Sequence, residues 1–319
     1  MNAISIMPGE ALWRSRKVQY YAGGWDAIQS VLPEFKLAPF IAGAGEPPNP
    51  FLQTVIRLPL SATERQMPVG VVSHTYSLAP HREVAALCRD GLINVKQAKI
   101  EPGELRYEVG LSELGEWMNF RIYLPSRYDF TDSHGEKLAL RLECFNSVDG
   151  SSRLSVLFGW FRFVCANGLV IGETKIEINE RHGQGLELRT LPERIRPALK
   201  EVEADRRRMG RWIEERVAID GITTWANGTL SEKWGKKASA RVFHICDSGR
   251  DVEIEDPFAP GLATEKPVRP LARVPGSPER AGTKYDVVQA LSFVATSRNN
   301  AEERVTRQAD IPKLMERLV

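Results

Sequence analysis

Cysteine is scarce. The 319-residue chain has four (Cys88, Cys144, Cys165 and Cys246), far apart and never as C-x-x-C. That spacing excludes a disulfide framework and a zinc knuckle, and leaves buried thiols as the expected use. No apolar run reaches the roughly 18 residues that a membrane span requires, and residues 1–10 lack the charged-then-apolar layout of a secretory signal. A cytoplasmic protein with no membrane partner is expected. Charge of one sign is lacking too: 43 Lys and Arg face 41 Asp and Glu, a net charge of +2. This balance announces no polyanion partner, so electrostatic recognition has to come from local clusters. There is no internal repeat, and the length suits one large domain or two modest ones.

The densest stretch runs from Leu138 to Glu173, LALRLECFNSVDGSSRLSVLFGWFRFVCANGLVIGE in outline. Three runs around and before it alternate with period two, the mark of strands with two unlike faces. Leu105, Tyr107 and Val109 alternate with Arg106 and Glu108. Met118, Phe120, Ile122 and Leu124 alternate with Trp117, Asn119, Arg121 and Tyr123, and Leu138, Leu140, Leu142 and Cys144 with Ala139, Arg141, Glu143 and Phe145. A fourth run, Val156 to Phe163, is apolar on both sides, as an interior strand requires. Short connections at 112–116 and 149–152 favour hairpins. The expected fold class is α+β: a curved antiparallel sheet with helices on one face.

Around this centre, residues 1–50 read as an aromatic arm with Trp13, Tyr20, Tyr21 and Trp25, and residues 51–189 as the sheet domain. In the latter, VVSHTYS leads through Pro80 to a helix stopped by Gly91. Residues 190–246 hold a long amphipathic helix from Thr190 to Val217 and a basic-aromatic segment, residues 247–282 a proline-rich strap, and residues 283–319 closing helices. The long helix carries many arginines, Arg207 and Arg211 among them, interspersed with acids.

NSVDGSS followed by FRFVCANGLVIGE resembles the signature of the YafZ-like phage/plasmid protein family, catalogued as domain of unknown function 932. The matching residues are Asn146, Ser147, Asp149, Gly150, Arg162, Cys165, Asn167 and Gly168. An S-x-x-Y element (Ser73, Tyr76) and a T-x-[WY]-x-x-x-x-A helix (Thr283, Tyr285, Ala290) fit as well, so the resemblance spans about residues 70 to 300. Members usually carry histidine within N-S-H-D-G, where this chain has Val148. The resemblance implies a mobile-element accessory protein and no established activity.

Asn146, Ser147, Asp149 and Gly150 have the composition of a hydrogen-bonded turn between strands. Asp149 is the best candidate for catalysis, as metal ligand or general base, although no second acid stands at a standard spacing. Arg162, a charge in an apolar strand, is expected either to pair with Asp149 or to meet a phosphate or carboxylate. Cys165 lacks a nearby base and reads as inert. His74 and His81 straddle a strand-to-helix junction and suit surface or capping roles. No metal-ligand set and no cofactor motif is evident.

Basic groups interleaved with rings on the mixed sheet face (Arg106, Arg121, Tyr123, Arg141), with Arg207 and Arg211 on the long helix, point to nucleic acid, single-stranded DNA in particular. The expected function is a non-enzymatic, nucleic-acid-binding accessory protein. Two alternatives stand beside it: a metal-assisted nucleotide or nucleic-acid hydrolase centred on Asp149, and an inhibitor that binds a host defence protein. The long helix could also supply a symmetric contact between copies.

Overall fold

The computed structural model describes residues 5–8, 18–93, 95, 99–131, 135, 137–162, 169–171, 178–256, 258–298 and 301–319. In chain order its strands are β1 (Ser5–Pro8), β2 (Val18–Gly23), β3 (Phe35–Pro39), β4 (Leu52–Arg57), β5 (Met67–Ser73), β6 (Arg106–Ser112), β7 (Trp117–Tyr123), β8 (Phe130–Thr131), β9 (Lys137–Ser147), β10 (Leu154–Arg162), β11 (Leu169–Ile171), β12 (Ile178–Glu180), β13 (Arg250–Ile254) and β14 (Val268–Arg273). The helices are α1 (Trp25–Val31), α2 (His81–Ile93), α3 (Leu191–Glu214), α4 (Ile219–Trp225), α5 (Ser231–Trp234), α6 (Lys236–Ser248), α7 (Lys284–Thr296) and α8 (Ala301–Glu316). The fold is α+β. No described helix is long and apolar enough to cross a membrane.

The chain forms two compact units. Unit 1 comprises Met1–Tyr128, Arg141–Phe158 and Ile176–Glu201; unit 2 comprises Asp129–Leu140, Gly159–Lys175 and Val202–Val319. In unit 1 an antiparallel ladder runs β1-β2-β6-β7-β9-β10, with β12 on the first residues of β10, and a second sheet runs β3-β4-β5. The apolar alternation of β6 and β7 becomes one oily face. There Trp25 of α1 meets Tyr107 at 5.4 Å and Phe120 at 6.3 Å, and the guanidinium of Arg89 from α2 lies 4.9 Å from the Trp25 ring. Burial of such rings supplies most of the favourable free energy on this face.

Residues 18–39 form β2, α1 and β3: a short helix at Trp25–Val31 agrees with the sequence, whereas the flanking strands are regular structure that an aromatic arm does not lead one to expect. Strand β2 completes the ladder against β6, with Tyr20 opposite Gly110 and buried. Gly91 does not stop α2, which continues to Ile93. Its role is contact: a Cβ at position 91 would stand 2.8 Å from the Cβ of Ile195, so the missing side chain is what lets α3 approach.

Unit 2 is built on α7, whose Tyr285, Val287, Val288, Leu291 and Val294 are all fully buried. Its start is fixed by a capping box: the Asp286 amide donates to Thr283 Oγ1, and Asp286 Oδ2 accepts from the backbone and hydroxyl of Thr283. The T-x-Y element is therefore a helix start. Within the proline-rich stretch, β13 and β14 pair as a two-stranded sheet, with Pro270 on the exposed edge strand where its missing N–H costs least.

Candidate functional site

The turn joining β9 to β10 carries the polar cluster, and its hydrogen bonds follow from its composition. Ser147 Oγ accepts from the Ser152 amide at 2.9 Å and donates to the Ser152 carbonyl at 3.0 Å, closing the loop. Asp149 Oδ1 accepts from the Ser151 amide at 3.1 Å and the Ser151 hydroxyl at 2.5 Å, a turn made by a side chain. Trp117 Nε1 donates to both Asp149 oxygens, at 3.2 and 3.3 Å. Gly150 has φ of +78°, the left-handed conformation that favours glycine.

Unit 1 places several other groups against this turn. Tyr76 donates to the Ser147 carbonyl at 3.3 Å, and burial followed by the nearby Asp149 charge pushes its phenol well above the ordinary range. The Tyr76 ring stacks on His182 at 5.3 Å. His182 is buried, neither of its ring nitrogens has a hydrogen-bond partner among the described residues, and burial lowers its pKa. Val148 is fully buried in an apolar cluster with Phe35, Val55 and Val72.

Asn146 points the other way, into the core. Its amide Nδ2 donates to the Ala79 carbonyl at 2.8 Å and to His81 Nδ1 at 2.9 Å, while His81 Nε2 donates to the Gly115 carbonyl at 3.0 Å. These partners fix a neutral imidazole protonated on Nε2. His81 is fully buried, not on the surface, and burial, outweighing the Gly115 carbonyl, lowers its pKa to about 4.

A free histidine titrates near 6.5, so the unfolded chain takes up a proton that folded His81 refuses until about pH 4. The stabilisation is whole above pH 6.5 and is lost as pH falls through that window, by about 2 kcal/mol between pH 7 and 5. Urea unfolding of wild type and His81→Gln at both pH values checks this. The variant should lose that part of the pH dependence, and an unchanged slope would count against the assignment.

Strand β5 lies directly on the turn. A Cβ on Gly70 would come within 2.8 Å of Asp149 Cβ and 2.9 Å of its Cα, backbone that cannot rotate aside. Gly70→Ala is expected to cost about 1–3 kcal/mol by forcing strand and turn apart. A melting temperature equal to wild type would refute that.

The mixed sheet face has a different fate from the one its alternation predicts. Register places Glu108 opposite Arg121 and Arg121 opposite Glu143, a charged row across β6, β7 and β9. Arg121 Nε donates to Glu143 Oε1 at 3.1 Å, Arg141 Nη2 to Glu143 Oε2 at 2.8 Å, and Asn119 Nδ2 to Glu143 Oε1 at 2.8 Å. Tyr123 donates to Glu108 at 2.9 Å and accepts from Arg141 at 3.1 Å. Tyr123 and Arg141 are buried and Arg121 is largely so; among the four sheet residues expected to meet nucleic acid, Arg106 alone is exposed. Opposite charges on neighbouring strands neutralise one another, which removes both the free charge and the open rings that a phosphate strand would need.

The remaining predicted residues are dispersed. Ser73 is exposed and shares a hydrogen bond with Thr75 at 3.0 Å. Arg207 and Arg211 are exposed on α3 in unit 2. The side chain of Arg162, and Cys165, Asn167 and Gly168 entirely, lie outside the described residues, so the Asp149–Arg162 pairing does too. Among the described residues no group of three His, Cys, Asp or Glu is placed to hold a metal. Trp117, His81 and His182 are neighbours of the turn that sequence reasoning missed, because each reaches it from a distant segment.

No curated protein and no solved structure matches the chain. A family model does match residues 68–311, from β5 through the NSVDG turn to the last helix, and it is described as a domain of unknown function. With the match covering most of its length, the chain belongs to the DUF932 family.

Proposed function

We propose that this chain is a non-enzymatic accessory protein of mobile genetic elements that binds nucleic acid, single strands included, through backbone phosphates. One observation carries the reading. On α3, Arg207 and Arg211 stand four residues apart on the exposed face, and neither has a hydrogen bond or ion pair among the described residues. Their neighbours are occupied: Arg206 donates to the Asp129 carbonyl at 2.6 Å, and Arg208 pairs with Asp205 at 3.5 Å. Burial, and then the like charge of Arg211, pull the Arg208 guanidinium below its usual basicity. A crowded set of cations with two uncommitted forks gains most from a polyanion, since each phosphate contact also releases a counterion.

Catalysis at Asp149 has less support, because its carboxylate is engaged by Trp117 and Ser151. The test is fluorescence anisotropy with single- and double-stranded oligonucleotides at two salt concentrations. Salt-sensitive binding is expected, weakened in Arg207→Ala/Arg211→Ala, whose changes are on an exposed face and should leave the melting temperature within about 1 °C. No salt-sensitive binding at micromolar protein would end the proposal.

A further inference from the structure

We propose that a cleft of unit 2 between α5 and α8 binds a phosphate monoester group, with Arg307 as its anchor. The cleft is an open groove of about 540 Å³ whose described lining is Lys233, Trp234, Arg298, Glu303, Thr306, Arg307 and Asp310. Among the described residues its charges do not cancel. Lys233 pairs with Asp310 at 3.2 Å and Arg298 with Glu303 at 2.6 Å, which uses the two described acids and leaves Arg307 as the third described cation.

Arg307 is held ready rather than neutralised. Its guanidinium lies 5.1 Å from the centre of the Trp234 ring, and Nη2 donates to the Trp234 carbonyl at 3.3 Å. The ring is itself fixed by Nε1 donating to Asp310 at 3.1 Å. Nη1 is buried without a hydrogen-bond partner among the described residues, while the side chain as a whole is half-buried. A fork fixed in this way can turn its accessible N–H groups to a bound oxyanion at little cost in side-chain freedom. Burial, then the like charge of Arg298, make Arg307 a weaker base than usual, a penalty that an anion would relieve.

The same cleft shows how the anion enters and why it should be doubly charged. Arg298 and Glu303 keep 38 and 48% of their side-chain surface exposed, so their ion pair is weak and an entering phosphate can displace Glu303 and take Arg298 as a second fork. An adjoining cleft of about 240 Å³ shares Lys233 and Asp310 and adds two cations, Lys313 and Arg317, against one further acid, Glu232. This excess of positive charge favours a dianion over a single carboxylate. Trp234, 7% exposed and covered by Arg307, has no open face for a base, so recognition is of the phosphate alone. Such a group comes either from a small phosphorylated molecule or from the 5′ end of a strand.

Isothermal titration with inorganic phosphate, on wild type and Arg307→Ala, tests the site, and anisotropy with 5′-phosphorylated and 5′-hydroxyl oligonucleotides separates the two sources. Saturable phosphate binding, weakened about tenfold or more in Arg307→Ala, is expected. A wild-type preference for the 5′-phosphorylated strand that Arg307→Ala abolishes assigns the strand end, and equal affinities assign a small ligand. Should Arg307→Ala not fold, Lys233→Ala, on an exposed lysine, must weaken phosphate binding instead. The inference is independent of strand binding along α3: Arg207→Ala/Arg211→Ala should keep phosphate affinity. No saturable binding up to ~10 mM phosphate, a limit reached by even very weak sites, or unchanged binding in the folded variant, would overturn it.

Discussion

Glu143→Ala is expected to destabilise the protein by about 3–5 kcal/mol, the range found when one partner of a buried ion pair is removed. Glu143 holds Arg121, Arg141 and Asn119 at once, with its own side chain 5% exposed. After the change Arg121 keeps the longer contact to Glu108, at 3.6 Å, and the Tyr20 ring, while Arg141 keeps the Tyr123 hydroxyl. Both guanidinium groups would lose the buried carboxylate that they share. Glu143→Gln, which retains an acceptor, should lose less. Urea denaturation of the three proteins measures the differences; a loss below about 1 kcal/mol for alanine would mean that the row is solvated and its pairs weak.

Asn146→Ala is the second large effect, about 2–4 kcal/mol. The amide serves two buried acceptors, the Ala79 carbonyl and His81 Nδ1, and orphaning a buried polar group costs about 1–3 kcal/mol each. Part of this is offset because Asn146 Oδ1 is already buried without a partner among the described residues. Loss of the amide leaves His81 Nδ1 without its donor, while the Gly115 carbonyl still holds the proton on Nε2. A variant that melts with wild type would show that the amide has no such role.

Periodicity made much of this architecture legible. Alternation in Tyr107–Val109, Met118–Ile122 and Leu138–Cys144 marks the oily face, and the three-to-four spacing from Leu191 to Ile213 marks α3, which spans Leu191–Glu214. The composition of Asn146–Gly150 marks the hairpin turn that the chain makes there. The fate of the mixed face was not legible. Alternation says which residues share a face but not which stand opposite, and only register sets Arg121 between Glu108 and Glu143. Gly91 misled for a related reason: a glycine that ends a helix and one that admits a neighbour look alike until Ile195 is seen against it. His81 and His182 reach the turn from segments 65 residues before Asn146 and 36 after it, and spacing carries no sign of such contacts.

Phosphate reading by the exposed arginines of α3 is measured most directly by the slope of log affinity against log salt for a single-stranded oligonucleotide, taken for wild type and for Arg207→Ala/Arg211→Ala. Each phosphate contact contributes about 0.7 to the slope for single strands, so the double variant should be shallower by about 1.4. A wild-type slope near zero, or identical slopes in the two proteins, would contradict it.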